Sequence, residues 1–399
     1  MHKIERLLQT LAPKGVGFRK LGEVCDFQKG KSITKKAVTF GKVPVISGGR
    51  QPAYYHNEAN RSGETIAVSS SGVYAGYVSY WDIPVFLADS FSVSPKQKTL
   101  MPKYLFHYLT TQQDAIHATK STGGIPHVYS KDLQNFLIPI PPLEIQQEIV
   151  TILDAFTELN TELNTELNAR KKQYQYYQNM LLDFNDINQN HKDAKMSAKT
   201  YPKRLKTLLH TLAPKGVGFR KLGEVCEILD NRRIPIAKNK RNPGIYPYYG
   251  ANGIQDYIDS YIFDGDFVLV GEDGSVINKD NTPVVNWASG KIWVNNHAHV
   301  LQTKNELKLK FLYFYLQTID VSYYVAGTPP KINQENLKKI TIPIPPLEIQ
   351  QEIVKILDQF SILTTDLLAG IPAEIKARKK QYEYYREKLL TFKPLQNKE

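Results

Sequence analysis

Residues Ile138–Val150 read IPIPPLEIQQEIV, and Ile342–Val354 read the same letters in the same order. Upstream, Thr10–Cys25 is TLAPKGVGFRKLGEVC and returns unchanged at Thr211–Cys226. Downstream, ARKKQY at Ala169–Tyr174 returns at Ala377–Tyr382. Self-similarity in fixed order marks a duplicated structural unit, here of about 200 residues per copy. Each copy runs short helix, repeated block, long dissimilar region, repeated block, long helix.

The dissimilar regions, 26–137 and 227–341, share only scattered positions. GETIAVSSSG at Gly63–Gly72 lies opposite GDFVLVGEDG at Gly265–Gly274, YLFHYL at Tyr104–Leu109 opposite FLYFYL at Phe311–Leu316, and Pro126 opposite Pro330. Both read as one mixed α/β fold with different surfaces. Short β-prone runs at Thr65–Ser69, Val85–Leu87, Phe267–Val270 and Lys291–Val294 are punctuated by glycine turns at 47–49 and 250–253.

After Pro141-Pro142, which stop the preceding strand and can open a helix, apolar residues fall at Ile145, Ile149, Ile152, Phe156, Leu159 and Leu163. Steps alternating between four and three describe a coiled-coil seam. The second copy repeats it at Ile349, Ile353, Ile356, Phe360, Leu363 and Leu367, with a break expected at Gly370-Ile371-Pro372. From Pro142 to Phe184 one helix would run ~65 Å at about 1.5 Å per residue. A single apolar stripe needs a partner, and the other copy supplies an antiparallel one. The expected fold class is α+β: two mixed α/β domains separated by two long antiparallel helices forming a coiled-coil spacer, with pseudo-twofold symmetry. Expected boundaries are 1–137 for the short helix and first domain, 138–184 for the first long helix, 185–204 for a polar linker, 205–341 for the second domain, 342–392 for the second helix and 393–399 for a tail.

The 399-residue chain carries a net charge of +12. A basic balance favours a polyanionic partner, nucleic acid first. Region 26–137 holds twelve basic against seven acidic residues and region 227–341 thirteen against twelve, so any nucleic-acid binding would use folded surfaces. Two cysteines, no long apolar window and a polar N-terminus, MHKIERLLQTL, lead us to expect a cytosolic protein with no membrane role and no disulfide framework.

Taken together, the blocks LAPKGVGFRKLGEV, IPIPPLEIQQEIVTILD and IPIPPLEIQQEIVKILD, RKKQYQYYQNMLL and RKKQYEYYREKLL resemble the specificity (S) subunit of type I restriction–modification systems over nearly the whole chain. YPYYGANGIQDYI at 246–258, LVGEDG at 269–274 and NNHAHVL at 295–301 add to the resemblance. The resemblance implies that the variable regions are target recognition domains, each reading half of a split DNA sequence. It implies a helical spacer that docks two methyltransferase subunits, which flip out and methylate adenine using S-adenosylmethionine. A motor nuclease subunit is the optional further partner, and the S subunit itself catalyses nothing and holds no cofactor. The alternative is an orphan sequence-specific DNA-binding protein that acts without such partners.

Base edges are read by Arg, Lys, Asn, Gln and hydroxyl side chains, and phosphates are held by Lys, Arg and backbone N–H groups. In the first domain the candidates are Lys29, Lys31, Lys35, Lys36, Arg50, Tyr54, His56, Ser70 and Tyr74. In the second they are Arg232, Arg233, Lys238, Lys240, Arg241 and Tyr249. Spacer and docking candidates are Ile145, Ile149, Phe156, Leu159, Leu163, Leu167 and Tyr177 with Ile349, Ile353, Phe360, Leu367 and Tyr385. The basic runs at Arg170–Lys172 and Arg378–Lys380 are identical between copies, so they should not encode half-site sequence.

Catalytic signatures are missing from the sequence. GKS at 30–32 has Cys25 where a phosphate loop needs glycine, and no G-x-G-x-x-G occurs. His297-x-His299 lacks a further metal-ligand motif, and Glu272 and Asp273 suit a turn better than a base contact. Finally, TELN occurs three times in a row at 157–168, which puts leucine at 159, 163 and 167. Four residues add ~6 Å to a helix. The expectation is a ruler, in which one TELN shifts the half-site gap by about one base pair.

Overall fold

The computed structural model describes residues 2–96, 98–121, 124–184, 201–274, 276–365 and 370–395. The chain divides into two compact units, Met1–Asn164 with Glu374–Glu399, and Thr165–Ala373.

In the first unit, α1 (His2–Leu11), β1 (Gly17–Lys20), the single turn α2 (Leu21–Val24) and β2 (Cys25–Lys29) come first. They are followed by β3 (Val43–Ile46), β4 (Tyr54–His56), β5 (Thr65–Ser69), β6 (Val78–Trp81), β7 (Phe86–Leu87) and β8 (Ser90–Pro95). Helices α3 (Pro102–Thr111), α4 (Gln113–Ala118) and α5 (Ser130–Leu133) lead to β9 (Leu137–Ile140) and α6 (Leu143–Leu182). The strands form an antiparallel sheet in the order β2-β8-β5-β6 and a smaller one in the order β4-β3-β7. Strand β1 pairs with β9, Phe18 opposite Pro139. The two repeated blocks therefore bind each other and close the ends of the variable region between them.

The second unit repeats the plan with α7 (Lys203–Leu212), β10 (Phe219–Lys221), α8 (Leu222–Val225) and β11 (Cys226–Ile228). Then come β12 (Pro243–Gly250), β13 (Gly253–Ile258), β14 (Phe263–Gly271), β15 (Val285–Val294) and β16 (Ala298–Thr303). Helices α9 (Leu309–Leu316) and α10 (Gln334–Lys339), β17 (Thr341–Pro343) and α11 (Leu347–Thr365) follow. Here one six-stranded sheet runs β11-β16-β14-β15-β12-β13, and β10 pairs with β17. Helix α12 (Ile371–Leu390) starts at the expected break, while the linker at 185–200 and Leu367 lie outside the described residues.

Each unit is completed by a helix from the other copy. In the first, Leu389 and Leu390 of α12 join Leu21, Ile66, Tyr104, Leu105, Ile145 and Ile149 in one core. In the second, Met180, Leu181 and Leu182 from the end of α6 join Leu222, Phe311, Leu312, Ile349 and Ile353. Ring contacts mark the same exchange: Phe156 stacks on Tyr385 at 5.5 Å, and Tyr177 stacks on Phe360 at 5.2 Å. In the first unit Phe156 meets Tyr382 and Tyr385, while Leu389 and Leu390, later in α12, share a core with Ile145 and Ile149, earlier in α6, so the paired helices run antiparallel. The expected seam is corrected at its start. Ile145, Ile149, Ile353 and Ile349 are fully buried in the cores of the domains, so they cannot present a docking surface.

The invariance of LEIQQ has a buried polar cause. The Gln146 amide donates to Thr99 O at 2.8 Å and Pro141 O at 2.7 Å, and its oxygen accepts from Met101 N at 2.9 Å. Gln350 does the same with Glu306 O, Pro345 O and Lys308 N. Both glutamines are fully buried, where an unsatisfied amide would be costly.

Candidate nucleic-acid interface

In the first unit three loops meet at one end of the sheets. The first, Ser47–Arg50, leaves β3. The second, Ser70–Gly76, leaves β5. The third runs through 124–129 ahead of α5. Gly48 faces the second loop so closely that a Cβ there would stand 2.4 Å from the Ser71 carbonyl oxygen. Gly72, at φ +87, donates its N–H to Pro126 O at 3.0 Å, and Val128 donates to Ser70 O at 2.9 Å. Lys120 reaches Val73 O at 3.2 Å. Outward from this base, the Arg50 guanidinium lies 4.9 Å from the Tyr74 ring centre and 5.7 Å from that of Tyr77. His127 stacks on Tyr129, whose other contact is the Lys131 ammonium at 5.4 Å. Val73 and Ile125 are left 79% and 66% exposed at the loop tips, a lining suited to apolar contact with thymine methyls.

The second unit builds the same platform. Gly274 donates to Pro330 O at 3.1 Å, as Gly72 does to Pro126, and Asp273 bridges Lys331 as Ser71 bridges His127. The chemistry on it differs. Glu272 pairs with Arg233 at 2.6 Å and Lys331 at 3.0 Å. Asp273 takes the His297 ring. Asp230 accepts from His299 Nδ1 at 2.6 Å, and burial, which alone would raise its pKa, is outweighed by that bond and by Arg233, so it sits below the usual carboxylate range.

Asp230, Glu272 and His299 come close enough to hold a metal ion. Their bonding speaks against it. Nε2 of His299 is spent on Ile332 O at 2.8 Å and Nδ1 on Asp230, and the Arg233 guanidinium, 11% exposed, already bridges both carboxylates.

Several candidates from the sequence face inward and are corrected. His56 is buried, its Nδ1 facing the Thr39 backbone at 3.0–3.1 Å and its ring edge-on to Phe86. Tyr249 is 8% exposed in the core with Phe263 and Phe267. Arg233 is committed to the ion network and two backbone carbonyls, Asn296 O and Ala298 O. Tyr54 is half-buried against Val45 and Phe86, and Arg241, over Tyr248 at 4.1 Å, bonds Ile236 O and Asp256. Ser70 is half-buried, with its backbone bonded to Asp89 and Val128, and stays among the candidates. Exposed are Lys29, Lys31, Lys35, Lys36, Arg50 and Tyr74, and in the second unit Arg232, Lys238 and Lys240. Arg232 stacks on Phe263 at 4.7 Å and donates to Ile262 O. Sequence reasoning missed His127, Tyr129, Lys120 and Lys331. The Pro126–Pro330 correspondence was the signal that pointed to their loops.

The family model for the type I restriction modification DNA specificity domain matches residues 13–173 and again 214–377. The chain belongs to this family. A Haemophilus influenzae protein provisionally named as a type I restriction enzyme specificity subunit is 45% identical over 179 residues, 44% of this chain and 46% of that one. The specificity chain thus spans less than half of that relative's length in the match. The EcoR124I/EcoR124II specificity subunit of Escherichia coli is 26% identical over 98% of this chain and 97% of its own. The solved S subunit of M. genitalium shares the fold, with a TM-score of 0.65 at 18% identity over 94% and 96% of the two chains. The duplication that organises this specificity chain is therefore the duplication of the family domain. Among its described residues no helix is long and apolar enough to cross a membrane.

Proposed function

We propose that this chain is the non-catalytic DNA-recognition subunit of a type I restriction–modification assembly. Each three-loop platform reads one half of a bipartite, asymmetric site in double-stranded DNA. The observation that carries the reading is one platform built twice with unlike side chains. The Gly72–Pro126 and Gly274–Pro330 bonds are the same scaffold, while Arg50, Tyr74 and His127 on one face a salt-laced Glu272, Asp273 and Lys331 on the other. A common scaffold with different chemistry suits two different half-sites. Lys29, Lys31, Lys35 and Lys36, with Lys238 and Lys240, supply phosphate contacts around these faces. Linking two readers raises affinity by effective concentration and makes helix length part of specificity.

The long helices set the gap and carry the partners. Lys171, Lys172 and Tyr176 are exposed on α6, and Lys379, Lys380 and Tyr384 are exposed on α12. These faces are identical between copies, as two equal sites for two methyltransferase subunits require; a motor nuclease subunit completes a restricting complex. Catalysis lies in those partners.

The test is to map N6-methyladenine at single-base resolution in cells expressing the chain with type I methyltransferase subunits. Two unlike half-sites around a fixed gap are expected. Absence of methylation with retained DNA binding by the chain alone would overturn the assembly reading in favour of an orphan DNA-binding protein.

A further inference from the structure

Arginines here are mostly spent on the protein. Arg61 donates to Ser92, Asn60 O, Gln28 O and Lys29 O. Arg233, Arg241, Arg220 and Arg170 are each tied to carboxylates. Arg50 differs. It is exposed, its guanidinium rests on the Tyr74 and Tyr77 rings, and among the described residues no hydrogen-bond acceptor meets it. Contact with two rings restricts the guanidinium while leaving its N–H groups unpaired. A guanidinium fixed in this way loses less freedom on binding and offers two parallel donors.

Its backbone is fixed as well. Ser69 donates to Ser47 O at 3.0 Å, Ser90 donates to Ile46 O at 3.1 Å, and Ser47 bonds Asp89. The contact of Gly48 with Ser71 admits no side chain between the loops. A phosphate contact tolerates a loosely held cation, whereas reading a base edge requires a placed one. The exposed Val73 and Ile125 beside it suit a groove lining better than a backbone contact.

The second unit has no counterpart. Strand β3 meets β7 with Ile46 opposite Leu87, and β12 meets β15 with Tyr249 opposite Val294. Ala88 N to Ile46 O and Asn295 N to Tyr249 O close the same turn. Ile46 therefore corresponds to Tyr249, and four residues on, Arg50 corresponds to Gly253, which has no side chain.

Resting on the proposed function, we propose that Arg50, braced by Tyr74 and Tyr77, is a specificity-determining residue. It donates both N–H groups of one guanidinium edge to O6 and N7 of a guanine in the half-site read by the first unit. The second half-site is read without an equivalent residue.

The test compares methylation maps of the full chain with its methyltransferase subunits for the wild type, Arg50→Ala, Arg50→Lys, Tyr74→Ala and Tyr74→Phe. In Arg50→Ala, discrimination at one G·C position of one half-site should fall by about ten- to a hundred-fold, the worth of a bidentate arginine–guanine pair. All other positions, including the whole of the other half-site, should stay as they were. Tyr74→Ala should relax the same position more weakly, and Tyr74→Phe, which keeps the ring, should leave it intact. An unchanged motif overturns the proposal, whether methylation stays the same or falls evenly as a lost phosphate contact would make it. If Arg50→Ala abolishes methylation everywhere, Arg50→Lys decides, because it keeps the charge and loses the planar fork: full stringency in that variant overturns reading by a guanidinium edge. A wild type with no bipartite motif would instead sink the proposed function itself.

Discussion

At the scale of single residues the two copies differ most tellingly where the sequence swaps a polar for an apolar side chain. His107 in α3 corresponds to Phe314 in α9. His107 is 1% exposed, its Nε2 bonds Asp154 at 2.9 Å, and its Nδ1 finds no partner in the described structure. Burial pushes its pKa below the usual imidazole value of 6.5, more than Asp154 pulls it up. Asp154, which burial alone would raise, is held low by hydrogen bonds from Lys103 and His107. Both shifts have the same sign for stability. A depressed imidazole costs stability as pH falls below 6.5, when the unfolded chain takes up the proton first, and a depressed carboxylate loses its contribution further down. The first unit should therefore lose stability as pH falls below about 6.5. His107→Phe should remove the upper part of that limb; circular dichroism melts between about pH 7 and 5 would show it, and an unchanged slope would refute it. Arg233→Ala should cost about 3 kcal/mol, because it removes the cation that the buried Asp230 and Glu272 share and leaves them only His299 and Lys331 as ion-pair partners; urea unfolding of the second unit measures this. Gly48→Ala should displace the Arg50 loop and weaken recognition of one half-site only.

Elements explain why a common fold looks different in its two copies. Strand β15 runs unbroken from Val285 to Val294, whereas the first copy splits it into β6 and β7. By register Val78 matches Val285, so Pro84 stands where the second copy has Lys291. Proline has no N–H for the ladder, and the sheet divides there into four- and three-stranded parts. In α6 the TELN leucines Leu159, Leu163 and Leu167 are half-buried, while the threonines and glutamates beside them are exposed. The stripe keeps its face across all three repeats, as a tolerated change in coil phase would. Deleting one TELN removes ~6 Å of helix, against ~3.4 Å per base pair. The gap in the methylated motif should shorten by about one base pair, with two as the ceiling for a helix lying along the duplex, and both half-site sequences should be kept. An unchanged gap would show that the helix is no ruler.

For the whole molecule, the reciprocal use of helices makes each unit depend on both copies. A chain ended at Ala373 would keep every residue of the second unit but lose Ile375, Leu389 and Leu390 from the first. Hydrogen exchange should then show lost protection in β2, β5 and β8 and retained protection in β14 and β16. Equal protection in both would mean that α12 contributes little to the first core. The point variant Leu389→Ala should cost ~2–5 kcal/mol, as buried leucine truncations do.

The sequence by itself determined the duplication, the long helices, the break near Pro372 and the family, because these are periodic or repeated and need no knowledge of what touches what. It also placed Arg50 and Tyr74 among the candidates, since basic and aromatic residues near glycine turns are visible as letters. Only the tertiary structure decided which candidates face outward. His56, Tyr249 and Arg233 look the same in sequence as Arg50. Their burial depends on partners 17 to 65 positions away: Thr39 for His56, Val300 for Tyr249, and Glu272 and Ala298 for Arg233. The same holds for the exchange of helices. Identical letters at Leu181 and Leu389 specify an apolar face in both copies, and only packing assigns each face to the opposite domain.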